Sequence, residues 1–329
     1  MAKARILAIR SYLPEKVLSN KDLEKIVDTT DEWISSRTGM KERRIAAPDE
    51  ANSDLATKAA QRVLDQAGLT PEQIDLILVT TTTPDYIMPG TAPIVQSKLK
   101  ANHAAAFDLQ AACTGFLYGL SVAKAYVESG MYRRILLIGS EKMSSFIDYE
   151  DRSTCVLFGD GACAAIVGGE GEGLAIENVC LGADGDLAKL IIIPGGGSQN
   201  PASLETVQSR EHYFKMSGRE VFKHAVRRMK SSVEECLDRA NLSESDISWV
   251  IPHQANLRIL DALAKNMKIS PDRFCKTVHK YGNTSAPSCA ITLDELLQEQ
   301  DIREGEHLLM VAFGAGLTWG ATVLTKVKE

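Results

Sequence analysis

The feature that most constrains the fold of this chain is an internal repeat. The segments AAQRVLDQAGLTPEQIDLILV and SSVEECLDRANLSESDISWVI match in order, because Ala67 and Leu69 recur as Ala240 and Leu242, each 173 residues further along. Both segments have the pattern of an amphipathic helix, a short turn and an apolar strand. A repeat of this kind indicates that one structural unit occurs twice in the chain.

Two further matches follow in the same order. RRILLIGS precedes HLLMVAFG by nearly the same interval, and FGDGACAAIV matches FGAGLTWGATVL. Together the three matches predict two related halves, at residues 1–172 and 173–329. Each half alternates helical patterns with apolar strands such as IDLILVTTT and WVIP, which predicts α/β layers with buried sheets. The segment from Leu181 to Phe214, with its PGGGSQNP run, has the pattern of a loop and hairpin inserted in the second half.

Composition and charge argue against several classes of function. A net charge of −6 without any Lys/Arg run argues against a nucleic-acid binder. No apolar run approaches the roughly 18 residues of a membrane span, and ILAI near the N-terminus is too short for a signal-peptide core. The seven cysteines include no CxxC pair, which argues against disulfides and structural zinc. We therefore expect a cytoplasmic protein that binds no metal, membrane or nucleic acid.

Cys113 lies where a short strand pattern, AAFDL, gives way to a helical one, GFLYGLSVAKAY. Free N–H groups at a helix N-terminus stabilise a thiolate, so we expect the pKa of this thiol to be lowered. The small neighbours Ala112, Thr114 and Gly115 would let a substrate approach. Two interpretations remain open from position alone, because a cysteine here is either a nucleophile or a buried structural thiol.

The repeat adds two candidate partners for this cysteine. The position 173 residues after Cys113 is Ala286, in the loop YGNTSAP, so Asn283 and its neighbours are predicted to converge on Cys113 across a pseudo-twofold axis. His253 directly follows the apolar strand WVIP, at the strand end where α/β proteins place active sites.

The segments AACTGF, PHQANLR and YGNTSA, which carry Cys113, His253 and Asn283, resemble motifs of the β-ketoacyl-acyl carrier protein synthase III family. These are the initiating condensing enzymes of type II fatty acid synthesis. SYLPEKVLSN, DEWISSRTGMKERR, FGDGA and FGAGLTWG extend the resemblance over nearly the whole chain. The resemblance implies a thiolase-like fold of two α/β halves in an α-β-α-β-α layered arrangement.

The resemblance also implies the reaction. Cys113 takes the acyl group of an acyl-CoA, expected to be acetyl-CoA, and a carbanion from decarboxylated malonyl-acyl carrier protein then attacks that acyl group. His253 and Asn283 would donate hydrogen bonds to the malonyl thioester oxygen. The backbone N–H groups of Cys113 and Ala315 would form a second oxyanion hole, although relatives often have glycine at position 315.

By the same resemblance, four residues contact CoA, with Trp33 and Arg152 enclosing the adenine ring; they are Thr29, Trp33, Arg37 and Arg152. Five consecutive residues bind the acidic acyl carrier protein, with Arg258 as the main cation and Lys223 and Lys265 nearby; they are Gln254, Ala255, Asn256, Leu257 and Arg258. The family forms homodimers, in which Met88 of the PDYIMPG loop would reach the partner's acyl pocket. No cofactor beyond the two substrates is expected.

Other functions remain as alternatives. A synthase III-like acyltransferase of specialised metabolism would use the same residues with other substrates. A degradative thiolase needs a second cysteine near FGAGLTWG, and an elongating synthase needs a second histidine at position 283. Chalcone-synthase-like enzymes tend to be longer, and a zinc hydrolase would need an HExxH motif, which is absent. A non-catalytic acyl-binding protein would not need Cys113, His253 and Asn283 together.

Overall fold

The structure is a computed structural model that describes residues 3–328. It contains thirteen strands within these residues: β1 (Arg5–Tyr12), β2 (Lys16–Ser19), β3 (Glu42–Ile45), β4 (Leu76–Thr80), β5 (Ala105–Leu109), β6 (Arg134–Glu141), β7 (Gly161–Gly168), β8 (Gly173–Ala183), β9 (Ile191–Ile192), β10 (Lys215–Met216), β11 (Ile247–Pro252), β12 (His307–Gly314) and β13 (Thr318–Val327).

Eleven α-helices occur in the same range: α1 (Asn20–Leu23), α2 (Asp31–Thr38), α3 (Asn52–Ala67), α4 (Thr91–Leu99), α5 (Gly115–Glu128), α6 (Arg152–Cys155), α7 (Leu204–Gln208), α8 (Gly218–Ala240), α9 (Leu257–Asn266), α10 (Val278–Tyr281) and α11 (Ser288–Glu299). Short 3₁₀ turns connect several elements, and the one that matters for the site is Ala112–Thr114, directly before α5.

Nine strands form one continuous mixed sheet in the order β11-β12-β13-β8-β1-β7-β6-β4-β5. Strand β4 is parallel to both of its neighbours, and β11 is parallel to β12, as expected where helices connect adjacent strands. Strands β1 and β8 pair at only two positions, Arg5 with Ala175 and Ile6 with Leu174. This short pairing joins two groups of strands into one sheet. The first group is β11, β12, β13 and β8, and the second is β1, β7, β6, β4 and β5.

Helices cover the sheet in three layers. Helices α3 and α4 pack on one outer face, where Leu55 and Val95 join a buried apolar cluster. Helices α8 and α9 cover the outer face at the other end, with Met229 and Leu263 in their core. Helices α5 and α11 lie in the middle, because Phe116 and Leu293 share one core with strands of both ends. The predicted layered α/β fold is therefore confirmed.

The repeat is visible in the element boundaries. Strand β12 begins at His307, 173 residues after β6 begins at Arg134, and α11 begins 173 residues after α5. Helices α3 and α8 end at the equivalent alanines, and both are closed by a left-handed residue, Gly68 (φ 62°) or Asn241 (φ 53°). The division into residues 1–172 and 173–329 stays a prediction.

The segment from Leu181 to Phe214 differs in part from its predicted loop and hairpin. Its first residues complete β8, and the short helix α7 follows later. The predicted hairpin is not found among the described residues of this segment; Ile191 and Ile192 pair instead with Met216 and Lys215, just beyond the end of the segment, across a long connection that contains α7. Within residues 3–328, no helix combines the length and apolar character needed to cross a membrane.

Candidate active site

Cys113 lies in the 3₁₀ turn between β5 and α5. The preceding residue, Ala112, has φ 47°, a left-handed conformation that non-glycine residues seldom adopt. The backbone of Gly314 approaches from the end of β12, and a Cβ atom at Gly314 would lie 2.9 Å from the Cys113 Cβ. Only glycine therefore allows the two turns to meet.

A threonine joins these two turns. The Thr114 hydroxyl donates to the Ala111 carbonyl at 2.6 Å, so its oxygen is left to accept from the Thr318 hydroxyl at 2.8 Å; the same Thr318 hydroxyl also lies 2.8 Å from the Ala315 carbonyl. This bridge fixes the Cys113 turn relative to Ala315, the two positions whose N–H groups were predicted to form an oxyanion hole. Thr318 is a supporting residue that the sequence reasoning missed.

The second loop repeats the geometry of the first. Ser285, which is 173 residues after Ala112, has φ 59° and is likewise left-handed. The two loops touch, because a Cβ atom at Gly115 would lie 3.3 Å from the Ala286 Cβ. The Cys113 Sγ lies 3.6 Å from the Ser285 Oγ. The predicted convergence of the two loops is present in the structure.

Asn283 is held by its backbone and by its side-chain oxygen. Its N–H donates to the Leu157 carbonyl at 2.8 Å, and its carbonyl accepts from the Gly159 N–H at 3.1 Å. Its Oδ1 accepts the Ser285 backbone N–H at 2.8 Å. Because a backbone N–H can only donate, this contact assigns the amide orientation and leaves the Asn283 NH₂ group as a donor for the cavity described below.

His253 follows β11 directly and is buried. Its Nδ1 lies 2.5 Å from the Ser288 Oγ, and that oxygen also accepts the Gln254 N–H at 3.4 Å. Among residues 3–328, the Ser288 hydroxyl has no acceptor other than Nδ1, so its proton points to Nδ1 and the ring proton lies on Nε2. Burial lowers the pKa of His253 to about 3, so the ring is neutral at physiological pH.

The Cys113 thiol differs from its expected state. Part of its surface is open to the cavity, but burial raises its pKa to about 12; the Ser285 hydrogen bond lowers it, and the Glu141 charge raises it further. The prediction of a lowered pKa is therefore wrong for the free protein. The cause is desolvation, which exceeds the stabilisation from the start of α5.

Glu141 was not singled out from the sequence. It ends β6 and is completely buried, and its carboxylate accepts hydrogen bonds from Thr81, Thr82, Thr83 and Ser285. Burial raises the pKa of Glu141, and these donors act in the opposite direction. The available signals were an acidic residue ending an apolar strand and the TTT run at the repeat position of His253.

The candidate catalytic residues open on one cavity of about 270 Å³. Cys113, His253, Asn283, Gly314 and Ala315 line one end of it. The rest of the wall is largely apolar and includes Ile191, Ile192, Ile193, Phe214, Met216, Val221, Ala225, Met229 and Phe313. A chamber with a few polar groups at one end suits an acyl chain whose reacting carbonyl lies beside the thiol.

Comparison with known proteins identifies the family. The sequence profile described as 3-oxoacyl-[acyl-carrier-protein (ACP)] synthase III matches residues 107–185, and its C-terminal counterpart matches residues 237–326. The chain is 57% identical over 327 residues to the β-ketoacyl-[acyl-carrier-protein] synthase III of Chlamydia caviae, covering 99% of this chain and 98% of that protein. The chain belongs to the β-ketoacyl-[acyl-carrier-protein] synthase III family. It is a condensing acyltransferase of fatty acid synthesis.

A solved structure agrees with this assignment. The crystal structure of 3-oxoacyl-[acyl-carrier-protein] synthase III from Aquifex aeolicus is similar with a TM-score of 0.90 and 45% identity, covering 98% of this chain and 99% of that chain. The curated synthase III of Caldanaerobacter subterraneus is 54% identical and is covered to 97%. The thiolase-like fold of this synthase III chain is therefore established over the 98% of the chain that the comparison covers.

Two of the predicted CoA-contacting residues, Trp33 and Arg152, lie against each other in this synthase III chain. The Arg152 guanidinium carbon lies 4.9 Å from the centre of the Trp33 ring, and its Nη1 donates to the Asp28 carbonyl at 3.0 Å. The two predicted adenine contacts are therefore neighbours in space, as a cation–π pair. That they enclose the adenine ring of CoA stays a prediction.

Thr29 and Arg37 lie on either side of Trp33 in the chain. The Thr29 hydroxyl is buried and has no hydrogen-bond partner among residues 3–328. Arg37 is exposed and lines a groove of about 510 Å³ together with Arg219, Lys223 and Arg258. Asn283 lines both this groove and the cavity at Cys113, so the two spaces are adjacent.

The predicted carrier-binding segment is only partly at the surface. Gln254 is buried; its Nε2 donates to the Pro252 carbonyl at 2.7 Å and its Oε1 accepts the Thr277 N–H at 2.9 Å. It therefore supports the loop, and its assignment as a carrier contact is wrong. The Asn256 side chain caps α9, and Leu257 packs on Gly39, whereas Arg258 is exposed beside Ala255 on the groove.

The PDYIMPG loop projects from the chain. Met88 and Ile87 are 86% and 91% exposed, and Tyr86 is 62% exposed. Met88 does not line the cavity at Cys113 in this chain. The role of Met88 in a partner's acyl pocket, and the homodimer itself, stay predictions.

Proposed function

We propose that this chain condenses an acyl-CoA primer, acetyl-CoA first among them, with malonyl-acyl carrier protein. The products are 3-oxoacyl-acyl carrier protein, CoA and CO₂. The observation that carries the proposal is that the Cys113 thiol, the Nε2–H side of His253 and the free NH₂ of Asn283 all line one largely apolar cavity. No cofactor other than the two substrates takes part.

Acyl capture is the first stage. Cys113 attacks the thioester carbonyl, the carbon–sulfur bond to CoA breaks, and an acyl-enzyme forms. The negative charge on the carbonyl oxygen is stabilised by the N–H groups of Cys113 and Ala315, which the Thr318 bridge holds in a fixed relation. The apolar wall of the cavity receives the acyl chain.

Condensation is the second stage. Malonyl-acyl carrier protein loses CO₂, and negative charge develops on its thioester oxygen. Two neutral donors, His253 through Nε2–H and Asn283 through NH₂, stabilise that charge. The lowered pKa of His253 suits this role, because a neutral imidazole keeps its Nε2 proton without adding a buried charge. The carbanion then attacks the acyl group on Cys113.

Substrate access runs through the groove next to the cavity. Its rim carries the cations Arg37, Arg219, Lys223 and Arg258, and its inner end is lined by Asn283. The phosphates of CoA and the acidic surface of acyl carrier protein are both attracted to such a rim, although the whole chain has a net charge of −6. Both substrates therefore use one entrance, in turn. The proposed enzyme is a homodimer located in the cytoplasm.

Intact-protein mass spectrometry tests the proposal. The protein is incubated with acetyl-CoA, hexanoyl-CoA or isobutyryl-CoA and then chased with malonyl-acyl carrier protein, with Cys113→Ser as the control. A mass gain on Cys113 that the chase removes as a 3-oxoacyl product is expected. An adduct that the chase leaves in place would instead favour an acyltransferase of specialised metabolism. Absence of any adduct would return Cys113 to the role of a structural thiol.

A further inference from the structure

We propose that Glu141, acting through Ser285, accepts the proton that the Cys113 thiol loses when it attacks the acyl thioester. The proposal rests on the proposed function of Cys113 as the nucleophile and adds the route of its proton. The contacts that carry it form a line of three side chains: Cys113 Sγ to Ser285 Oγ at 3.6 Å, and Ser285 Oγ to Glu141 Oε1 at 3.2 Å. Ser285 and Glu141 are both buried.

The hydrogen bonds around Glu141 assign it as an acceptor. The Thr81 Oγ1 accepts the Asn52 Nδ2–H at 2.9 Å and the Thr83 N–H at 3.0 Å, so its own proton points to Glu141 Oε2 at 3.1 Å. The Thr83 Oγ1 accepts the Lys142 N–H at 2.9 Å and donates to the same Oε2 at 2.5 Å. A carboxyl group that accepts from both hydroxyls is a carboxylate in the resting protein.

The other carboxylate oxygen is bound in the same way. The Thr82 backbone N–H, which can only donate, is shared between Oε1 at 3.2 Å and Oε2 at 3.1 Å, and the Thr82 Oγ1 donates to Oε1 at 3.0 Å. Ser285 completes the set. Its hydroxyl proton therefore points to Glu141, and its oxygen lone pair is left to accept the Cys113 S–H. All three groups are thus aligned for transfer away from the sulfur.

His253 cannot take the thiol proton in the tautomer that the structure assigns. Its Nδ1 accepts the Ser288 hydroxyl, and its Nε2 already carries a proton. Among residues 3–328, the Ser285 Oγ is the hydrogen-bond acceptor of the Cys113 Sγ. Burial also raises the pKa of Glu141, which makes its carboxylate a better proton acceptor than an exposed one.

The proton balance closes over the two stages. In acyl capture the sulfur–carbon bond forms, the thiol proton moves to Ser285, and the Ser285 hydroxyl proton moves to Glu141; CoA leaves as a thiolate and takes a proton from solvent. In condensation the Cys113 sulfur leaves as a thiolate, and the proton returns from Glu141 through Ser285. The two stages together therefore consume one proton from solvent, which is the proton that the CoA thiolate takes.

Ser285→Ala is the central variant for the test. Its repeat counterpart, Ala112, has the same left-handed backbone, so alanine is tolerated in this conformation. Glu141→Gln is the second variant, because it keeps the shape of the side chain and removes the carboxylate. The measurement is the single-turnover rate of Cys113 acylation by acetyl-CoA, followed by intact mass in H₂O and D₂O, with iodoacetamide alkylation of Cys113 as a separate measure of thiol access.

We expect both variants to slow acylation about 10²-fold, the lower range for loss of a general base. The double variant should be no slower than the slower single variant, because the two residues act in one chain of transfers. Wild-type acylation should be slower in D₂O, with a curved dependence on deuterium content, and this effect should shrink in Ser285→Ala. Alkylation should not slow in Glu141→Gln, since removal of the Glu141 charge favours the thiolate; in Ser285→Ala, which loses a hydrogen bond that lowers the pKa of the thiol, it should slow less than acylation does.

Four outcomes overturn the relay. The relay is excluded if Ser285→Ala is acylated at the wild-type rate. It is also excluded if the solvent isotope effect on acylation is the same in Ser285→Ala as in the wild type. In Glu141→Gln, a loss of alkylation equal to the loss of acylation assigns Glu141 to holding the loop. A wild-type protein that is not acylated on Cys113 overturns the proposed function and the relay together, which distinguishes that failure from failure of the relay alone.

Discussion

A Cβ atom on Gly314 would lie 2.9 Å from the backbone nitrogen of Cys113. We therefore expect Gly314→Ala to push the Cys113 turn away from Ala315 and to reduce acylation by acetyl-CoA 10²- to 10³-fold, about the effect of losing one oxyanion-hole donor. Gly185→Ala is the matched control, because nothing lies within 4 Å of a Cβ there. Equal acylation rates in the two variants would contradict the oxyanion hole assigned to the N–H groups of Cys113 and Ala315.

Asn283→Asp separates the two stages of the reaction. An Asp carboxylate can still accept the Ser285 N–H, so the loop is retained, but the NH₂ donor to the cavity is lost. We expect Cys113 acylation to persist while clearance by malonyl-acyl carrier protein falls about 10²-fold. The check is the intact mass before and after the chase. Clearance at the wild-type rate would remove the donor role of Asn283.

The buried neutral state of His253 makes stability depend on pH. The unfolded chain binds a proton on this residue near 6.5, whereas the native protein binds it only near 3, so the unfolded state binds more protons between these values. The contribution of neutral His253 to the free energy of unfolding is fully present above pH 6.5. It is lost as the pH falls below this value, by up to ~1.4 kcal/mol per pH unit. Denaturant unfolding at pH 6.5, 5.5 and 4.5 should show a shallower loss in His253→Gln, and parallel curves would contradict this.

Arg258 and Lys265 are both exposed on α9, but only Arg258 lines the groove. We expect Arg258→Glu to raise the KM for malonyl-acyl carrier protein about tenfold, because an attractive charge becomes repulsive, with a smaller change in kcat. Lys265→Glu should have a clearly smaller effect. The wild-type KM should also rise with salt, and indifference to both salt and Arg258→Glu would place carrier docking elsewhere.

A substitution at Met88 tests whether the PDYIMPG loop reaches the acyl pocket of a second subunit. The 86% exposure of Met88 in the single chain means that its apolar side chain is available to a second subunit. We expect Met88→Phe to shift the acyl-CoA profile toward shorter primers, because a rigid ring replaces a flexible thioether. The measurement compares acylation by acetyl-, isobutyryl- and hexanoyl-CoA in both proteins, alongside their mass in solution. Identical profiles would remove the loop from primer selection.

The sequence by itself determined the duplicated fold and the positions that meet at its centre. The 173-residue repeat predicted equivalent strands and helices, and β12 and α11 begin at that interval from β6 and α5. It also brought the loop of Asn283 to Cys113, which the contact between Ser285 and Cys113 bears out. Such predictions succeed because hydrophobic periodicity and helix starts are local properties, and the repeat carries them from one half to the other.

Only the tertiary structure decided the state and orientation of the groups in the site. Desolvation reversed the expected pKa shift of Cys113, and burial removed Gln254 from the carrier surface. Glu141 became visible because it meets Ser285, 144 residues further along the chain. Burial and hydrogen-bond direction are sums over neighbours from distant segments, so no local pattern of residues contains them.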